Sequence, residues 1–313
     1  MTIGACVFRF AVLRSWSRSH PTDQPVLDLL AVRAARLGLL GGIVLLLAIG
    51  PRLWLQASGF IEPGQAVDRE LLTLILTETE WGRGWTAQLG AAVLALGGFL
   101  LTLAAPRWGW IGAGIGATLV ALAAPLTGHA VTEAAGSTGV LFDALHVLGG
   151  SAWLGTLSVM LLAGLGTLSR LPADQHGTLA ARLVTAFSPV ALVGASLAVV
   201  AGSVLSWRYL GGTMGERFGA LTGTSWGQAL LLKNLTLLAV AGLGAWNWRV
   251  LLPRLGSAEA AGRLRRSARL EVTLGVILLL ITAFLVALPM PALASGEDLA
   301  SLGIQTCSGA SAC

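Results

Sequence analysis

Two of the four histidines in this 313-residue sequence fall within one stretch, LTGHAVTEAAGSTGVLFDALHVLGGSAWLG, residues 126–155. His129 closes one apolar run and His146 opens the next, with a short loop between them. Imidazole nitrogen suits copper and several other transition metals, and thioether sulfur favours Cu(I). Asp143 lies one helical turn before His146, and Glu133 four residues after His129. Either carboxylate could accept an imidazole N–H and fix which ring nitrogen keeps its lone pair, the usual surroundings of a metal-ligating histidine. Steps of seven residues advance a regular helix by about 700°, so His146, Trp153 and Met160 share a face, with Met160 about 21 Å deeper. The pair reads as an entry site for a metal, with Met160 as a deeper contact outside the same coordination sphere. The competing reading makes each histidine an interfacial polar group satisfied by a neighbour, and Met160 a packing residue.

The remaining candidates are scattered. Lys233, the one lysine of the chain, falls inside an apolar run and could snorkel towards the headgroups or pair with a carboxylate or carbonyl. Asn247, Arg249 and Glu271 sit where two apolar segments end and begin, and read as a polar cluster joining helices. Cys307 and Cys313, six residues apart on a Gly/Ser-rich tail, could form a disulfide or act as soft metal ligands; with Cys6 they do not define a disulfide framework. His20 and His176 fall in polar connecting segments and read as solvated. There is no nucleophile–base pair, no phosphate-binding loop and no Cys-x-x-Cys or c-type haem motif, so the sequence reads as a non-enzyme.

The elements that must hold these residues are apolar helices. Of the residues, 55% are hydrophobic and 11% charged, and the mean hydropathy is +0.78, which marks an integral membrane protein. Residues 84–106, 108–132, 144–169, 183–207 and 272–296 contain no Asp, Glu, Lys or Arg; 37–60 is interrupted only by Arg52 and 218–248 only by Lys233. Each is long enough to cross a hydrocarbon core of about 30 Å as a helix. Continuous runs without apolar–polar alternation select a helix bundle over a barrel. The expected fold is thus all-α, with seven transmembrane helices. VDRELLTLIL (67–76) is expected as a short interfacial helix that adds no crossing.

With the N-terminus inside, the inner segments carry fourteen arginines and the outer ones only Arg52, Arg69, Arg83, Arg208 and Arg217. That asymmetry puts the N-terminus in the cytoplasm, the C-terminus outside and both histidines of the opening stretch at the outer face. Membrane orientation accounts for the net charge of +5 without nucleic acid. Residues 1–33 read as a flexible or interfacial cytoplasmic segment, since Arg9 breaks the apolar stretch and no basic region precedes it as in a signal peptide.

TETEWGRGW (77–85) and TGTSWGQAL (222–230) share Thr, Thr, Trp and Gly at an offset of 145, and AARL recurs at 34–37 and 180–183 at an offset of 146. The match implies a parallel 3+1+3 repeat. Residues 34–126 form the first three-helix copy, 127–169 the histidine loop and linker helix, 170–291 the second copy, and 292–313 an outer tail. In each copy a Thr could cap the following helix while Trp lies at headgroup level.

Several motifs follow one another in a familiar order: LTGHA (126–130), LHVLGGSAWLGTL (145–157), FSPVAL (187–192), LTGTSWGQALLLKNLTLLAVAGLGAWNWRVLLPRL (221–255) and RRSARLEVTLGVILLLITAFLVALP (265–289). Together they resemble the copper-resistance protein D (CopD) family over residues 67–291. The resemblance implies a polytopic bacterial inner-membrane protein handling copper between periplasm and cytoplasm, alongside a periplasmic chaperone of the copper-resistance protein C type. It carries His129, His146, Trp153, Lys233, Asn247, Pro253 and Glu271 onto family positions. The chain lacks a fused C-type domain and a methionine ladder. Two alternatives stay open: an accessory subunit of a larger membrane complex that keeps the fold, with the C-terminal tail as docking element, and an electron carrier with haem b between His129 and His146.

Overall fold

The computed structural model describes residues 1–62, 66–128, 136–254 and 258–288. Every regular element among them is helical. Helix α1 covers residues 2–19, with a π-helical turn at Phe8–Leu13. A 3-10 turn, Pro21–Asp23, leads into α2, Gln24–Ser58. Then come α3 (Arg69–Glu78), α4 (Glu80–Leu101) and α5 (Pro106–Ala123), the last extended by a 3-10 turn at Ala124–Thr127. Helix α6, residues 136–168, contains two π-helical turns, Ser151–Gly155 and Met160–Leu165. The chain continues through α7 (Ala173–Leu210), α8 (Met214–Gly223), α9 (Ser225–Trp246), which runs on as a π-helical turn at Asn247–Leu251, and α10 (Ala258–Ala287).

Seven of these helices are long and apolar enough to cross a bilayer: α2, α4, α5, α6, α7, α9 and α10. This is the chain of a multi-pass membrane protein. Leu47, Leu100, Leu192 and Leu280 are among the leucines exposed on these helices, as expected where lipid is the solvent. Lipid tails are as apolar as leucine, so helix association rests on close packing and polar pairs.

The described residues divide into two compact units, one of residues 1–203 and 243–272, the other of residues 204–242 and 273–288. At the centre of the first lies α1. Its Ala5, Phe8, Val12 and Trp16 are buried in a cluster with Leu30 of α2, Phe99 of α4, Trp110 of α5, Leu157 of α6, Leu183 of α7 and Leu264 of α10. Phe99 meets Trp110 edge-on at 5.8 Å, and Phe10 meets the same ring at 6.2 Å. Backbone meets backbone where Gly4 abuts Gly155; a Cβ on Gly4 would collide with the Gly155 carbonyl group. Thr156 Oγ1 donates to Gly4 O at 3.3 Å across that contact.

Within the segment that the sequence reads as flexible or interfacial, residues 2–19 thus form a helix with one face packed in the bundle. Arg9 does not break the insertion because the arginines at 9, 14 and 18 fall off the buried face: Arg9 is half-buried, Arg14 and Arg18 are exposed. At the α1–α2 corner Asp23 accepts from Trp16 Nε1 at 2.7 Å and from Arg182 Nη1 of α7 at 2.7 and 2.9 Å.

In the second unit the start of α8 closes a reciprocal cap. Thr213 N–H donates to Glu216 Oε2 at 2.5 Å and Glu216 N–H donates to Thr213 Oγ1 at 3.4 Å. The backbone N–H holds the Glu216 carboxyl below its ordinary pKa. Gly211 and Gly212, both at positive φ, make the preceding turn. Tyr209 stacks edge-on to Trp226 at 6.5 Å, and Arg217 lies 3.8 Å over the Trp207 ring.

Two helix starts share one local geometry. Thr79 Oγ1 donates to Ile75 O at 2.6 Å and accepts from Gly82 N at 2.9 Å; Thr224 Oγ1 donates to Ala220 O at 2.6 Å and accepts from Gly227 N at 3.0 Å. Each short helix, α3 or α8, is thereby tied to the long helix after it. The sequence singles out only the first short helix, through its apolar LLTLIL run; α8 carries the weaker pattern MGERFGALTG.

The corner at Asp23 gives a test. Asp23→Ala removes the acceptor of both Arg182 and Trp16 and is expected to cost about 2–4 kcal/mol, read as a lower unfolding midpoint in detergent. Arg14→Ala, on the exposed face of α1, is expected to leave that midpoint unchanged.

Candidate functional site

His146 lies in the first half of α6, before its first π-helical turn, and faces α7. The two helices run antiparallel with backbones nearly touching. A Cβ on Gly149 would lie 2.6 Å from Ala198 N, and one on Gly194 would lie 3.0 Å from Trp153 N. His146 thus stands opposite Gly202, Gly149 opposite Ala198, and Trp153 opposite Gly194. Small residues at these positions let the helices approach, and the approach brings the imidazole to a main-chain carbonyl: His146 Nδ1 is 2.7 Å from Ala198 O. A carbonyl oxygen only accepts, so this contact calls for a proton on Nδ1; in the neutral ring the lone pair then belongs to Nε2. That is the tautomer in which a histidine presents Nε2 to a metal, with its orientation fixed by a carbonyl behind it. Gly202 fits this place because a Cβ there would sit 2.8 Å from His146 Nδ1.

The turn that leads to the other histidine is also tightly placed. Residues 124–127 contact both α4 and α6. Leu126 packs on Gly84, where a Cβ would come within 2.7 Å of the Leu126 side chain. Thr127 accepts from Arg52 Nη2 at 2.9 Å, and the other terminal nitrogen of Arg52 donates to Gln88 Oε1, also at 2.9 Å. Arg52 therefore spans from α2 to α4 and to the last residue but one before the loop. His129 and Glu133 lie in that loop, outside the described residues, as do Cys307 and Cys313.

The other candidates separate. Trp153 is buried against α7, on the same side of α6 as His146. Met160 is 3% exposed within the apolar cluster around α1, beyond the first π-helical turn, and its surroundings there are those of a packing residue. Asp143 is half-buried one turn before His146. Lys233 is half-buried on α9. Asn247 and Glu271 do meet: Asn247 Nδ2 donates to Glu271 Oε2 at 2.9 Å, and Ser267 Oγ donates to Asn247 Oδ1 at 2.5 Å. Both are buried, and their bond joins the π-helical turn after α9 to α10. Among the described residues no three His, Cys, Asp or Glu side chains gather as a metal site.

Sequence reasoning passed over Arg52, Gln88 and Thr127. The signal was there, since Arg52 is the one charge in its apolar run and an ionisable residue in a span needs a partner. The carbonyl behind His146 left no such signal, because any residue supplies one.

Residues 181–285 match the family model for copper resistance protein D, and residues 1–140 match that for the N-terminal domain of copper resistance protein D-like proteins. The chain belongs to the copper-resistance protein D family. The N-terminal match takes in α1, and the second match covers α7 from residue 181, α8, α9 and most of α10. The copper transport protein CutJ of Bacillus subtilis (strain 168) is 30% identical over 170 residues, covering 54% of this chain and 29% of CutJ. The match thus spans less than a third of that relative. No solved structure matches the chain.

Two outcomes check the geometry. Gly202→Ala is expected to push the imidazole off Ala198: nitrogen NMR of histidine-labelled protein should show a protonated His146 Nδ1 in the parent and lose that signature in the variant. An unchanged spectrum would mean the ring does not rest on Gly202. Arg52→Ala strands buried Gln88 and Thr127 and is expected to lower stability by about 2–3 kcal/mol, measured by unfolding in detergent.

Proposed function

We propose that this protein binds copper at the outer face of the bacterial inner membrane and passes it across the bundle, in copper resistance or homeostasis. The observation that carries this reading is the 2.7 Å contact from His146 Nδ1 to Ala198 O, the support from behind that a histidine has when its Nε2 ligates a metal. His129, two residues beyond the Arg52-anchored Thr127, supplies the second imidazole, and Asp143 and Glu133 supply charge that attracts a cation. Membership of the copper-resistance protein D family and the similarity to CutJ, a copper transport protein, support copper as the cargo.

The orientation in this proposal has the N-terminus in the cytoplasm and the C-terminus in the periplasm, supported by the arginine distribution. The proposed 3+1+3 repeat is supported by the matching Thr79 and Thr224 geometries, 145 residues apart, each following a short helix. A periplasmic chaperone of the copper-resistance protein C type is the proposed donor or acceptor of copper at the outer face. The protein carries out no covalent chemistry; its task is binding and transfer.

Metal analysis of purified protein tests the site. Wild type is expected to retain copper, and His129→Ala/His146→Ala to lose at least about tenfold of that occupancy, as removal of both ligands requires. Equal copper in the double variant would overturn the assignment. A Soret band in the same preparation would replace it with haem ligation.

A further inference from the structure

A second polar site lies within the first unit, where the early part of α2, the end of α6 and the early part of α10 converge. They enclose a cavity of about 460 Å³ lined by Arg33, Leu161, Leu162, Arg170, Arg265 and Arg269, with Gly166 and Ser169. Four guanidinium-bearing residues come from three chain segments, and no carboxylate is among the lining residues. Arg83, Arg182 and Arg263 of this unit pair with Glu80, Asp23 and Glu259, and Arg269 has a partner of its own. A helix C-terminus attracts cations on its own, which accounts for Arg170 just past α6. It does not account for Arg33 and Arg265, which reach the same space from two other helices.

Arg265 is the most constrained of the four. Its Nη1 donates to Ser169 Oγ at 3.1 Å, while its Nε is buried with no hydrogen-bond partner among the described residues. A second cavity of about 100 Å³ adjoins, sharing Ser169 and Arg265. A buried donor on a permanent cation, held by a serine beside further guanidiniums, calls for an anionic acceptor with several oxygens. The opposite wall is apolar. Leu161 is buried, whereas Leu162 is 54% exposed on the flank of a membrane-crossing helix. Guanidiniums at one end and an exposed leucine leading away along the helix match an amphiphile better than a free ion, and basic pockets between transmembrane helices hold lipid headgroups in this way. The volume is within the range of small-molecule sites.

We propose that this cavity binds the phosphodiester headgroup of an anionic phospholipid through Arg265, Arg33 and Arg170, with an acyl chain lying along Leu162. The headgroup then ties α2, α6 and α10 together, so the lipid acts as a removable crosslink of the first unit. The site involves none of the residues proposed for copper.

Native mass spectrometry of the full chain, delipidated in neutral detergent, provides the test. Phosphatidylglycerol and phosphatidylcholine of equal chain length are offered separately, with and without inorganic phosphate. Phosphatidylglycerol is expected to be retained at about one per chain and phosphatidylcholine not, since both offer a phosphodiester but the choline cation would stand among guanidiniums with no carboxylate to offset it. Arg265→Gln and, separately, the exposed Arg170→Gln are expected to lower that retention about tenfold, while Arg107→Gln leaves it unchanged. Arg170 follows α6 in a turn, so its variant reports on binding even where Arg265→Gln impairs folding. Equal retention of both lipids, or retention unaffected by Arg170→Gln, would overturn the proposal. Displacement of the lipid by inorganic phosphate would also overturn it, in favour of a site for a small anion.

Discussion

A polar side chain inside a helix bundle in hydrocarbon is held only where a partner comes within hydrogen-bond reach. That constraint organises the first unit. Arg52 reaches Gln88 and Thr127, Asp23 reaches Arg182 and Trp16, Asn247 reaches Glu271 and Ser267, and His146 reaches a main-chain carbonyl. The first three join different chain segments by side chains alone. His146 differs because its partner is backbone, which is accessible only where two helices touch without intervening side chains. The Gly149, Gly194 and Gly202 contacts create that condition. Packing by small residues and the chemistry of the imidazole are therefore one arrangement.

Much of the architecture is legible in the sequence because bilayer thickness imposes a length scale. Gaps of more than twenty residues between charges mark five of the seven long helices, apolar runs broken by a single charge, Arg52 or Lys233, mark the other two, and a short amphipathic run marks α3. What escaped is long-range or local in ways composition does not record. Helix α1 carries three arginines, so its hydropathy is ambiguous; only the burial of Phe8, Val12 and Trp16 in one cluster with residues of the long helices shows its place in the bundle. The π-helical turns of α6 add residues to individual turns, so a wheel drawn at 3.6 residues per turn does not carry from His146 to Met160. The sequence marked His146 as a candidate, but its partner lies 52 residues away in a run of small apolar residues that looks like any other.

The insertion of α1 changes how the molecule is divided. It contacts α2, α5 and α6 and supplies a large share of the central aromatic packing, including the Phe10–Trp110 contact. It belongs to the bundle that supports the histidine helix, since the Gly4–Gly155 contact falls within the π-helical turn just beyond His146. A change at α1 thus bears on α6 directly, through Thr156 and Gly155, without any contact to the imidazole itself.

The central claim is that His146, held from behind by Ala198, presents Nε2 to copper. X-ray absorption at the copper edge of copper-loaded protein tests it directly. The wild-type spectrum is predicted to contain the outer-shell scattering of ligated imidazole, reduced in His146→Ala with the helix content unchanged. Identical imidazole scattering in that variant, or a wild-type spectrum containing sulfur ligands alone, would contradict the account.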